Sequence, residues 1–127
     1  MQPMNIAETF VALDDASGAR PLPVTPDFWE ALGTGRLGQF SRMISCYAFD
    51  RDWATWEIHP AGQEFVCMID GDVDLVLEQD GRETIVRLDR AGAFVLVPTN
   101  TWHTARVRRP SKMLFVTPGE GTQNSDV

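Results

Sequence analysis

The stretch WEIHPAGQEFVCMIDGD, residues 56–72, decides how this chain is read. Polar and apolar side chains alternate on either side of a tight Pro60–Ala61–Gly62 turn. Residues two apart on a strand project to the same side. Trp53, Thr55, Glu57 and His59 therefore share one face, and Ala54, Trp56 and Ile58 the other. Glu64 opens the next run and can swing back beside Glu57 and His59, with Val66 and Met68 on its own face. Gln63 is a competitor for a place beside His59, but alternation turns it away unless a bulge intervenes. Two neighbouring residue types that bind cations, imidazole and carboxylate, are thus predicted on one rigid surface.

The second informative stretch is AGAFVLVPTNTWH, residues 91–103. It ends on His103, and His59 and His103 are the only two histidines. Ala105 and Val107 share the predicted His103 face, and Trp102 adjoins it. Around both stretches, short apolar runs alternate with turn signals for much of the chain. They predict strands near 39–49, 53–59, 63–70, 72–79, 82–88, 93–97, 103–109 and 112–117. Asp80–Gly81, between two such runs, is the strongest hairpin signal. The breaks at Asp70–Gly71 and Arg109–Pro110 read as turns as well.

The N-terminal part differs. One strand is expected around Phe10–Leu13, followed by a turn-rich stretch containing Pro21 and Pro23. A short helix is expected near 26–33, with Thr25 as cap, Pro26 at the first helical position and Asp27 and Glu30 at the positive end of the dipole. Gly33 and Gly35 end it. The last nine residues, GEGTQNSDV, are polar and read as a frayed tail. The expected division is 1–36 as an extension with the helix, 37–118 as the β-domain and 119–127 as the flexible tail.

Composition narrows the partners. With 127 residues, 11 Lys plus Arg against 18 Asp plus Glu and a formal charge of −7, the surface repels nucleic-acid phosphates and anionic lipid. Arg106, Arg108, Arg109 and Lys112 are a local exception, read as a solvated strand face. No apolar run approaches the ~20 residues that a membrane helix needs, and MQPMNIAETF lacks the pattern of a signal peptide. The expectation is no nucleic acid, no membrane and a cytoplasmic location. Cys46 and Cys67 lie in apolar runs and read as small buried hydrophobes.

On these residues the chain resembles the cupin superfamily. His59 falls on the second histidine of that family's first motif, Glu64 on its glutamate and Gly71 on its closing glycine. Gly92, Pro98 and His103 match the second motif. Glu57 stands where the family has its first histidine, Arg51 replaces the first glycine, Asn100 the glycine after the proline and Val107 the final asparagine. Asn100 is a mild change, since asparagine tolerates a left-handed turn conformation.

The resemblance implies an all-β fold, a double-stranded β-helix (jelly-roll) cupin barrel with a short N-terminal helix before it. It implies a metal set of Glu57, His59, Glu64 and His103 for a divalent transition metal, Zn, Fe, Mn, Ni or Co. The expected pocket around it is apolar, made by Trp53, Thr55, Val66, Met68, Ala105 and Val107. The function expected is a metal-binding cupin that takes a small organic molecule into the barrel. The alternatives are a metal-dependent dioxygenase, isomerase or lyase with Glu57 as catalytic base, and a structural domain with an inactive site. The oily positions Trp56, Ile58, Phe65, Cys67 and Ile69 suggest a homodimer.

Overall fold

Two long strands organise the molecule, because each is mainly apolar on the inner face, with polar residues at the ends, and its register shifts where glycine or proline interrupts it. The computed structural model describes residues 1–127. In chain order its elements are β1 (Thr9–Leu13), β2 (Ala19–Pro23), α1 (Phe28–Gly33), β3 (Arg42–Phe49), β4 (Thr55–Ile58), β5 (Glu64–Gln79), β6 (Arg82–Leu88), β7 (Phe94–Val97), β8 (His103–Thr117) and β9 (Gln123–Asp126). The nine strands form one sheet with the path β2-β1-β3-β8-β4-β9, and β5 pairs β6, β7 and β8.

β5 and β8 run antiparallel from Phe65↔Val116 to Leu77↔His103. Their register slips between Met68 and Val73, where the sequence reading placed two turns. Both turns are instead bulges inside continuous strands. Gly71 sits at φ +140°, and a Cβ there would lie 2.6 Å from the Ser111 Cα, so only glycine fits. Opposite it, Ser111 Oγ accepts from the Asp72 N–H (3.0 Å) and donates to Arg109 O (2.7 Å). These bonds replace ladder pairing that Pro110 cannot supply.

The Asp80–Gly81 hairpin forms as expected, with both residues at positive φ and Gln79 paired with Arg82. Asn100 also adopts a left-handed turn, at φ 57°. The helix begins later than expected. Asp27 is its N-cap with no side-chain capping bond, and Thr25 Oγ1 donates instead to Asp27 Oδ1 (2.6 Å). β2 was not anticipated, because Pro21 and Pro23 argue against a strand. It lies at the edge, paired only with β1, where a missing N–H costs no ladder bond. β9 replaces the expected frayed tail, pairing Gln123–Asp126 with Ile58–Thr55.

The core has two parts. The larger gathers Val66, Met68, Val73, Leu75, Leu77, Leu88, Val97, Ala105, Met113 and Phe115 from the strands around β5 and β8. The smaller joins Phe10, Ala12, Leu22, Phe28 and Met43, which fastens β1, β2 and α1 to β3. Tyr47 packs against both. Cys46 is buried, Cys67 half-buried, and both are free thiols. No helix is long and apolar enough to cross a membrane.

Candidate metal centre and its cleft

Four polar side chains from two stretches of sequence meet where β4, β5 and β8 approach one another. Glu57 on β4 pairs in register with His103 at the start of β8. His59 follows β4 directly, and Glu64 opens β5 after the Pro60–Gly62 turn. The His59 and His103 ring centroids are 5.2 Å apart. The Glu57, His59 and His103 donor atoms all lie within 4.8 Å of one another. Glu64 stands between the two imidazoles, with Oε1 3.0 Å from His103 Nε2 and Oε2 3.4 Å from His59 Nε2. Glu57 Oε2 is 3.7 Å from His59 Nε2. Gln63, the competitor, is exposed and outside the group.

The surroundings fix which atoms are free. His103 Nδ1 lies 3.0 Å from Thr101 O, which can only accept, so Nδ1 carries the hydrogen and Nε2 presents its lone pair inward. His59 Nδ1 is likewise engaged, 2.9 Å from Thr122 Oγ1. Thr117 Oγ1 donates to Glu64 Oε2 (2.6 Å). What remains is a set of buried atoms without a hydrogen-bond partner: His59 Nε2, His103 Nε2 and Glu64 Oε1. The 3.0 Å approach of Glu64 to His103 is thus a contact off the line of a hydrogen bond.

A lone pair facing a carboxylate is repulsive unless a proton or a metal cation lies between them. Two donors each ~2.1 Å from one ion stand roughly 3.0–3.4 Å apart in octahedral or tetrahedral geometry. The observed 3.0 and 3.4 Å separations of Glu64 from the two imidazoles match that spacing, and the 3.7 Å separation of Glu57 from His59 is somewhat longer. Imidazole nitrogen and carboxylate oxygen suit a divalent transition metal. Nδ1 hydrogen bonds of the kind made by Thr101 and Thr122 orient such ligands.

The same groups perturb one another's protonation. Burial works against charge on Glu64, but contacts from His103 and His59 outweigh it and hold the carboxyl at about 2. Burial pulls the His103 imidazole down, yet Glu64 more than offsets this and leaves it above its usual value. Burial, and then the charge of Glu64, push the Glu57 carboxyl up.

The centre opens on a cleft of about 1420 Å³. Of the six side chains expected around it, Trp53 and Thr55 line the cleft. Val66, Met68 and Ala105 do not. They are almost wholly buried in the larger core, and Val107 packs against that core. Alternation identified their face correctly but not their depth. The cleft is also more polar than expected, because Ser45, Tyr47, Thr117, Thr122 and Asn124 contribute to its wall. Thr117 was legible as the polar end of the alternation Met113, Phe115, Thr117. Thr122 carried no signal, since it lies in the stretch read as a tail. Trp102 is half-buried and outside the cleft lining.

The basic cluster behaves as a solvated face. Arg106 pairs with Glu83 (3.1 Å), Arg108 with Asp74 (2.7 Å) and Arg109 with Asp70 (3.9 Å). The oily positions regroup. β4 and β5 are not sheet neighbours, so Trp56 and Ile58 are separated from Phe65 and Cys67. Phe65 and Cys67 instead face Leu96 and Phe94 on β7, and the Phe65 and Phe94 rings stack at 5.1 Å.

No protein-family model matches this chain, and no curated protein matches its sequence. Solved structures do. An oxalate oxidase is 15% identical with a TM-score of 0.54, the match covering 65% of this chain and 45% of that one. A cupin-2 domain containing protein from Shewanella frigidimarina is 15% identical with a TM-score of 0.53, covering 64% and 74%. The hydroquinone 1,2-dioxygenase from Sphingomonas sp. TTNP3, solved with 4-hydroxybenzoate bound, is 19% identical with a TM-score of 0.51, covering 63% and 60%. The match therefore spans less than two thirds of both enzyme chains. At these identities the likeness establishes the fold.

Proposed function

We propose, from the cupin fold that this chain shares with those proteins, that it binds one divalent transition metal and holds a small organic molecule beside it. Glu57, His59, Glu64 and His103 would hold the ion, and the cleft lined by Trp53 and Thr55 would hold the molecule. The observation that carries this reading is the convergence of three buried, unpartnered donor atoms, His59 Nε2, His103 Nε2 and Glu64 Oε1. Buried polar atoms are rarely left without a partner, and a cation satisfies all three together.

When bound, a divalent ion polarises an oxygen atom of a molecule placed beside it. The chain's own residues set how strongly. With Glu57 in the set, two carboxylates cancel the charge of a divalent ion and weaken it as a Lewis acid. With Glu57 outside the set, two imidazoles and one carboxylate remain and positions stay open. A catalytic reading, of dioxygenase, isomerase or lyase type, is favoured by one observation. Glu57 faces the cleft, and burial followed by the charge of Glu64 raises its carboxyl from the usual value, which suits a group that accepts and returns a proton.

Further parts of the proposal follow the same fold. Residues 37–118 close as a jelly-roll barrel, with 1–36 as an extension packed on β3. Copies pair as a homodimer through the apolar outer face where Phe65, Phe94 and Leu96 lie, the last two about half exposed. A cytoplasmic location agrees with the two free thiols. The test of the central reading is elemental analysis of protein purified without added metal, repeated on His103→Ala. One metal per chain in the parent and loss in the variant support it. Absence of metal in the parent after exposure to Zn, Fe, Mn, Ni and Co salts would refute it.

A further inference from the structure

His59 and Glu64 are held in place from far along the chain, and by the same segment. His103 is oriented locally, by the carbonyl of Thr101 just before it. Thr117 Oγ1, by contrast, donates to Glu64 Oε2 at 2.6 Å across 53 residues of sequence. Thr122 Oγ1 stands 2.9 Å from His59 Nδ1 across 63 residues. Because Thr117 occupies Oε2, Glu64 presents Oε1 as its unpartnered oxygen. Because Thr122 engages Nδ1, His59 presents Nε2. The two hydroxyls thus decide which atom each residue offers to an ion.

The segment between them is fitted to the turn that joins His59 to Glu64. Pro118 is buried, and a Cβ on Gly62 would lie 3.5 Å from its Cγ. Gly121 takes φ +76°, and a Cβ there would lie 3.0 Å from the Pro60 Cγ. The Thr122 N–H donates back to Gly119 O at 3.2 Å and closes a turn of its own. Beyond it the segment continues as β9, and little holds β9 down. Its four residues are all exposed, and none enters either core. It lies at the edge of the strand path and pairs with β4 alone. A strand attached by main-chain bonds, with no apolar surface buried, belongs to the parts of a fold that open most easily. β4 in turn depends on β9, since it pairs with β8 only at Glu57↔His103.

We infer that Thr117 and Thr122 are positioning residues of the metal centre, and that docking of β9 on β4 and binding of the ion are coupled. This rests on the metal reading of the donor set. With β9 docked, Glu57, His59 and Glu64 are held toward one point. With β9 lifted, His59 loses its Nδ1 partner and the strand that carries Glu57 loses its main neighbour. Such coupling is reciprocal: the factor by which the ion favours docking is the factor by which docking strengthens ion binding.

Deuterium uptake, read by peptide mass spectrometry on metal-free and zinc-saturated protein, measures the first factor. Zinc should slow uptake over residues 122–127 about tenfold. The β1–β2 hairpin, at the other end of the strand path, should be unaffected. Ser125→Pro measures the second factor. Ser125 is exposed and supplies no donor. The Val127 N–H donates to Ala54 O, so alternation puts the Ser125 N–H on the bonded side of β9 as well. Proline removes that N–H. Zinc affinity should fall about tenfold in a chelator titration, with little change in melting of the metal-free protein.

Thr122→Val should cut the zinc-dependent protection of 122–127 by more than half, and Thr122→Ser should restore it. Thr117→Val should weaken zinc binding and alter the visible absorption of cobalt-loaded protein, and Thr117→Ser should restore both. Should Ser125→Pro fail to fold, the Thr122 variants decide, because they leave the backbone intact. Zinc bound with uptake over 122–127 unchanged, protection untouched by Thr122→Val, or parental zinc affinity in Ser125→Pro overturns the coupling and leaves the metal reading standing. A parent protein that takes up none of Zn, Fe, Mn, Ni and Co refutes the metal reading itself, and the coupling falls with it.

Discussion

The sheet carries charged residues on two regions, and it treats them in opposite ways. Along β5, β6 and β8 the charged groups pair with one another at the protein surface, although Asp74 Oδ1 is buried without a partner of its own. Arg108 meets Asp74, Arg106 meets Glu83 and Arg87 meets Asp72 at 2.7–3.1 Å, with the arginines about half exposed. At the centre formed by β4, β5 and β8 the ionisable groups face inward, and several of their atoms meet no partner. Exposed pairs of the first kind explain themselves and contribute little, since solvent screens them and side-chain entropy offsets them. Buried donors of the second kind are costly unless something positive joins them. Charge content alone would not separate the two regions. Burial and the direction of the lone pairs do.

The largest effect expected from breaking that contrast is at Glu64. Glu64→Gln keeps the shape but removes the charge between the imidazoles, and should weaken metal binding by ~100-fold or more in a competitive chelator titration. Asp74→Asn, the matching change on the outer region, should leave metal affinity within error. Equal effects from the two would dissolve the distinction.

Acidity offers the next test, and its sign differs with and without metal. In the metal-free protein Glu64, held at about 2 against 4.5 when unfolded, stabilises above pH 4.5 and loses this as pH falls toward 2. His103, raised above 6.5, stabilises below pH 6.5 and loses this as pH rises through its folded value. Glu57, raised as well, acts in the same sense above pH 4.5. Melting temperature of the metal-free protein should therefore fall by a few °C between pH 6 and 8. Metal affinity should rise over the same range, because the ion competes with the proton on His103 Nε2. Parallel trends would contradict the assignment of Nε2 as a ligand atom.

A smaller effect is expected at Thr122. Thr122→Val removes the hydroxyl beside His59 Nδ1 and should weaken metal binding about tenfold with little change in melting. The smallest is Arg108→Ala, which should alter stability by no more than ~1 kcal/mol and leave metal content intact. A loss of metal in that variant would show that the outer region supports the inner one.

The donor set was legible because strand alternation and turn chemistry are local. Glu57 and His59 had to share a face, and Asp80, Gly81 and Asn100 had to make turns, whatever the rest of the chain did. Depth was not legible. Val66, Met68 and Ala105 share a face with the site residues but lie under them, and only the pairing of β5 with β8 determines that. Long-range pairing also decided what composition hid. Gly71 and Pro110 read as turns, yet each lies opposite the other strand's irregularity and becomes a bulge. Pro21 and Pro23 forbid a central strand but not an edge one. Gln123–Asp126 has no apolar signal at all and becomes a strand because β4 offers a free edge.

Beyond the β5–β7 ladder, a modest bond joins the two sequence stretches right beside the imidazoles. The Asn100 N–H donates to the His59 carbonyl at 3.2 Å, tying the loop before His103 to the residue that follows β4. Anything that steadies one stretch must then steady its counterpart. The Asn100 amide is consequently a built-in gauge: its solvent-exchange rate, followed as a single resonance, reports whether the two stretches are clasped around an ion or breathing apart.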